Sequence, residues 1–106
     1  MSKSKYSVKM LWEERYGRQE EVLDYAGRRM VKAACSDCHS SYQPTIDHIR
    51  PLSAGGKDVK ENIIICAAET NWEKGCRFPH WQANGKRYHA RRKRGVRGGY
   101  LIIEER

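Results

Sequence analysis

Thr45-Ile46-Asp47-His48-Ile49, Asn62-Ile63-Ile64-Ile65-Cys66 and Glu69-Thr70-Asn71-Trp72-Glu73-Lys74 are the three runs that decide how this chain of 106 residues reads. The first is a short β-type run closed by Pro51. The second is β-branched and predicts another strand. The third is rich in helix formers as far as Arg77, and Pro79 lies two residues beyond, so a short helix is expected over Glu69 to Arg77. Leu52 to Glu61, between the strands, is a polar loop containing Gly55-Gly56. The order is therefore strand, loop, strand, helix.

Upstream, Ser7 to Tyr16 predicts a helix, with Met10, Leu11 and Trp12 as apolar contacts and Gly17 ending it. Glu20 to Ala34 leaves two readings open. One is a helix interrupted by Gly27; the other is a hairpin turning at Ala26-Gly27. Cys35 to Gln43 reads as a loop. Downstream, Asn84-Gly85 inside Trp81 to Arg92 is a strong two-residue hairpin signal, and Tyr100 to Ile103 reads as a final strand. No internal repeat is found. The expected fold is α+β and a small single domain, 1–106. It divides into an N-terminal helical or hairpin extension (1–34), a core of two antiparallel strands plus a helix (35–77), and a basic hairpin and tail (78–106).

The net charge of +8, from 21 Lys and Arg against 13 Asp and Glu, favours a polyanionic partner. The longest clean apolar run, Ile63 to Ala68, is far shorter than the roughly 18 residues of a membrane span. The basic start, Met1-Ser2-Lys3-Ser4-Lys5, is not followed by the apolar region of a signal peptide, so a cytoplasmic location and no membrane partner are expected. Four cysteines in that compartment are reduced, which favours metal binding over disulfides.

Asn62 stands 14 residues after His48, and Asn71 nine after Asn62. These are residue types that phosphodiester hydrolysis needs. Histidine titrates near neutrality and can take a proton from water. Carboxylate and amide oxygens, as on Asp47 and Asn71, suit a hard divalent ion. A lysine such as Lys74 can stabilise charge near a phosphate. Adjacent strand residues face opposite ways, so Asp47 and His48 can serve one site only with a local distortion of the strand.

Asp47-His48-Ile49-x-Pro51-Leu52-Ser53-x-Gly55-Gly56, Asn62-Ile63 and Asn71-x-x-Lys74-Gly75 together resemble an HNH endonuclease of the ββα-metal type. Phe78-Pro79 and Asn84-Gly85-Lys86 are similar to a phage and bacterial branch of those proteins. The resemblance implies a DNA endonuclease of a bacterial cell or phage-infected host, acting on double-stranded DNA. It implies His48 as general base, Asp47 and Asn71 as holders of one Mg²⁺ or Mn²⁺, Asn62 as the brace of the loop behind His48, and Lys74 beside the scissile phosphate. A homodimer would let two sites cut both strands, and the sequence leaves that open.

Cys35-Ser36-Asp37-Cys38 is half of a common zinc site. Many HNH proteins carry a second pair just before the helix asparagine, where this chain has Ala67 and Thr70. A structural Zn²⁺ held by Cys35, Cys38, Cys66 and Cys76 would be out of that register, and Cys66 reads equally well as a buried apolar residue. The competing functional reading is a non-catalytic, zinc-stabilised DNA-binding module of the same fold. An RNA-binding accessory role has only the basic tail behind it.

Between Lys86 and Arg97 stand Lys86, Arg87, Arg91, Arg92, Lys93, Arg94 and Arg97, with no acidic residue among them. Beside the nuclease-like motif this stretch predicts contact with the phosphate backbone, and Gly95, Gly98 and Gly99 suggest a pliable segment that orders on binding. Trp12, Trp72 and Trp81 are expected in the core rather than on bases; Tyr88 and His89 are left undecided. Neutralising Arg91, Arg92, Lys93 and Arg94 together should weaken DNA binding and flatten its dependence on salt. An unchanged salt slope in a titration of labelled duplex would mean that the segment does not touch phosphate.

Overall fold

The computed structural model describes residues 4–106. Helix α1 (Val8–Tyr16) starts where the Ser7 hydroxyl accepts the Met10 amide at 3.1 Å, and it ends at Gly17. Leu11 and Trp12 are its fully buried residues, and the Trp12 indole donates to the Gln19 carbonyl at 2.9 Å.

Strands β1 (Glu21–Leu23) and β2 (Arg29–Val31) form a hairpin, which resolves the ambiguity of that segment. Its turn is organised by one carboxylate. Asp24 Oδ1 accepts the Ala26 and Arg28 amides at 2.9 and 2.8 Å, and Oδ2 accepts the Ala67 amide at 3.0 Å. That last bond ties the hairpin to residues far away in sequence.

Strand β3 (Pro44–His48) pairs antiparallel with β4 (Ile63–Ala67), and helix α2 (Ala68–Lys74) follows β4 directly. The strand β4 starts at Ile63. Asn62, expected as its first residue, closes the short 3₁₀ turn Lys60–Asn62 instead. The helix also stops at Lys74, short of Arg77, because Gly75 follows with φ of 56°. Ile63, Ile65 and Ala67 face a core cluster with Leu11, Trp12 and Met30, and Ile46 packs beside them. Ile64 packs against a second cluster of Ala26, Ile49, Trp81, Ala83, Tyr88 and Tyr100. Both faces of β4 are covered, which is why its sequence is a continuous apolar run rather than an alternation.

Strands β5 (His80–Ala83), β6 (Lys86–Arg92) and β7 (Tyr100–Glu105) form an antiparallel sheet in the order β5-β6-β7. Asn84 and Gly85 turn β5 into β6 with φ of 50° and 76°, the backbone such a two-residue turn requires. The basic stretch expected as a pliable tail is instead strand β6 and its connection to β7, where the Lys93 amide donates to the Gly99 carbonyl at 2.9 Å. Pairing with β7 along its length gives it the order that its glycines concealed. The whole is a small α+β fold with two α-helices and three antiparallel sheets among the described residues. No helix of these residues is long and apolar enough to cross a membrane.

Asp24→Asn tests the turn. One amide hydrogen would then face a backbone N–H, so a loss of about 1–3 kcal/mol in urea unfolding is expected. A variant as stable as the parent would show that the carboxylate does not hold the hairpin to β4.

Candidate active site

A cavity of about 470 Å³ is lined by Ile46, Asp47 and His48 from β3, by Asn71 and Trp72 from α2, and by Cys76 just beyond it. Three consecutive residues of one strand can border the same space only along its open edge. The sheet of β3 and β4 has two strands, so the far edge of β3 is unpaired by any other. The distortion expected between Asp47 and His48 is absent: the register runs unbroken through Asp47 opposite Ile64 and His48 opposite Ile63.

Asp47 is 8% exposed. Burial pushes its carboxyl above the usual carboxylate range, and the neighbouring Lys74 ammonium only partly offsets this. Its Oδ2 lies 3.4 Å from Lys74 Nζ, an ionic contact without hydrogen-bond alignment, and is a buried oxygen with no hydrogen-bond partner.

The orientation of the Asn71 amide follows from its neighbours. The Thr45 hydroxyl donates to the Cys66 carbonyl at 2.8 Å, so its oxygen is left to accept, and the Ile46 carbonyl can only accept. Asn71 Nδ2 donates to both, at 3.0 and 3.1 Å. Among the described residues Asn71 Oδ1 has no hydrogen bond. Thr45, which fixes this orientation, carries no signal of its own in the sequence, being one threonine in a strand.

His48 is buried, and its Nε2 lies 2.8 Å from Asp58 Oδ1. Asp58 also accepts the Ser4 hydroxyl at 2.6 Å and the Lys5 amide at 2.8 Å. Desolvation pushes the Asp58 carboxyl up, but the hydrogen bonds from Ser4, Lys5 and His48 outweigh it and hold the group at about 2. An ionised carboxylate only accepts, so a neutral His48 donates through Nε2 and keeps its lone pair on Nδ1. Asp58 carries no local signal of this role, being one of two acids in a polar loop.

Asn62 is fully buried behind this loop. Its Oδ1 accepts the Arg50 amide at 2.9 Å, and its Nδ2 donates to the carbonyls of Arg50 and Lys57 at 3.1 and 2.8 Å. The same loop brings Gly56 so close to Arg50 that a Cβ would stand 1.8 Å from the Arg50 carbonyl oxygen.

Lys74 departs from the expected position. It is fully buried, donates to the His48 carbonyl at 3.2 Å and lies 5.0 Å from the centre of the Trp81 ring. It therefore underlies the site rather than facing a ligand in it. Trp72 also departs from expectation, being 81% exposed, whereas Trp12 and Trp81 lie in the core.

The four cysteines are not brought together. Cys66 is buried, and burial pushes its thiol up; Cys38 and Cys76 are exposed. No group of three or more His, Cys, Asp or Glu side chains is arranged to hold an ion among the described residues. Lys86, Arg87, Arg91, Arg92, Lys93, Arg94 and Arg97 are all exposed.

Because Asp58 is lowered from 3.8 to about 2, its bonds stabilise the fold fully above about pH 4 and lose that contribution as the pH falls towards 2. The gap in urea midpoint between the parent and Asp58→Asn should therefore narrow over that interval. A gap constant with pH would mean that Asp58 is not held ionised by these partners.

A model of the HNH endonuclease family matches residues 25–80, just over half of the chain and all of the cavity's residues. No curated protein and no solved structure gave a match. The match spans Asp47, His48, Asn62 and Asn71, and on it the chain belongs to the HNH endonuclease family.

Proposed function

We infer that this chain is a metal-dependent endonuclease that hydrolyses phosphodiester bonds in double-stranded DNA, built on a ββα-metal core of β3, β4 and α2. The observation that carries the reading is the meeting of Asp47, His48 and Asn71 on one cavity, with Asp47 Oδ2 buried and lacking a hydrogen-bond partner. A buried oxygen without a partner is costly unless something completes it. The Asp47 carboxylate and the free Asn71 Oδ1, from two residues that line the cavity, are hard oxygen donors, which fit Mg²⁺ or Mn²⁺ rather than a thiophilic ion.

Asp47 and Asn71 would hold the ion, and the ion would neutralise charge on the scissile phosphate and the leaving oxygen. His48 takes a proton from water at Nδ1. Asp58 is a positioning residue: through Nε2 it fixes the ring and stabilises the imidazolium that results. Asn62 holds the loop on which Asp58 sits. Lys74 acts on Asp47, partly offsetting the burial that raises its carboxyl. The exposed cations of β6 and the turn after it meet the DNA backbone.

A plasmid-relaxation assay with Mg²⁺, Mn²⁺, Zn²⁺ or EDTA, run beside His48→Ala, tests this. Nicking or linearisation that needs Mg²⁺ or Mn²⁺ is expected, and the variant should lose about 10²–10⁴-fold in rate while still binding DNA. Binding without cutting in every metal would favour the non-catalytic module. Loss of binding and cutting together would make His48 structural.

A further inference from the structure

Trp72 is the observation that the site so far leaves unused. It is 81% exposed and follows Asn71 directly in α2. A single exposed apolar side chain is ordinary on a protein surface. This one, however, borders two cavities. It lines the 470 Å³ cavity with Asp47 and Asn71, and it also lines a second cavity of about 630 Å³ between α2 and the β5-β6 hairpin.

The second cavity is suited to an aromatic, anionic strand. Trp72 and Trp81 both line it, and Arg77 and Arg87 are exposed at it. Its two carboxylates are already engaged. Glu73 accepts Arg28 at 2.6 Å and the Asn84 amide at 2.8 Å. Glu105 lies 3.1 Å from His80 and 3.2 Å from His89. Arg87 makes no ion pair among the described residues. It continues into the row of exposed cations along β6.

We propose that Trp72 and the cavity behind it bind the base of one unpaired nucleotide of the strand being cut, stacked on the exposed indole. The inference rests on the nuclease reading. It adds that the site favours DNA in which a base beside the cleavage point has left its partner. Stacking of a base on an aromatic ring tolerates any sequence, and its loss on substitution by alanine weakens binding by about 5- to 150-fold. It involves no phosphate, so it leaves the salt dependence untouched.

The test is binding in EDTA, where nothing is cut, of two labelled 30-mer duplexes, one fully paired and one with a central three-nucleotide gap. The parent should bind the gapped duplex more tightly, and its tryptophan fluorescence should be quenched on binding. Trp72→Ala should lose 5-fold or more in affinity for the gapped duplex, bind both duplexes about equally and keep the parental salt slope. Trp72→Phe should retain most of the preference. Equal binding of the two duplexes by the parent, or a Trp72→Ala protein that keeps the preference, would overturn the proposal and leave the nuclease reading standing. A reduced salt slope in Trp72→Ala would also overturn it, since the residue would then be holding phosphate contacts in place. A gap preference that Trp72→Ala loses, in a protein that cuts in no metal, would uphold the nucleotide site and sink the hydrolytic reading.

Discussion

A single buried ammonium joins the two elements that carry the site. Lys74, at the last position of α2, reaches under the helix to the His48 carbonyl and the Asp47 carboxylate of β3, with the Trp81 ring alongside. Burying a lysine completely costs several kcal/mol unless its charge is met. Here a carboxylate, a carbonyl and an aromatic face meet it, and each lies on a different part of the chain from the helix. These contacts hold the last turn of the helix against β3. That placement sets Asn71 across the cavity from Asp47.

The same pair explains an asymmetry in the Asp47 carboxylate. Burial raises it and Lys74 lowers it, and the first effect is the larger. Its Oδ2 has charge nearby but no aligned donor. His48 is arranged in the opposite manner, tied at one nitrogen to an acid that three donors keep ionised.

The sequence carried the β3, β4 and α2 elements because their signals are local: β-branched runs, a glycine stop, and a turn dipeptide at Asn84-Gly85 whose backbone few other residues adopt. It carried Asp47, His48, Asn62 and Asn71 as candidates because residue type and spacing agree with a family pattern. It did not carry what distant contacts decide. Lys74 reads as a cation beside the phosphate because lysines are almost never buried without a partner, and its partners lie on β3 and β5. Trp72 reads as core because tryptophans usually are, while a seven-residue helix is too short to reveal which face is buried. Asp58 becomes visible only when its loop folds back on His48. The basic segment looked pliable from its glycines, and the strand that orders it, β7, comes later in the chain.

The assignment of a divalent ion to Asp47 and Asn71 is open to direct test. The most direct measurement is the broadening of backbone amide resonances by substoichiometric Mn²⁺ in the parent and in Asp47→Asn. Broadening should centre on Asp47, His48, Asn71 and Cys76 in the parent and disappear in a variant that remains folded. Broadening centred on Cys35 to Cys38, or unchanged by the substitution, would place the ion elsewhere.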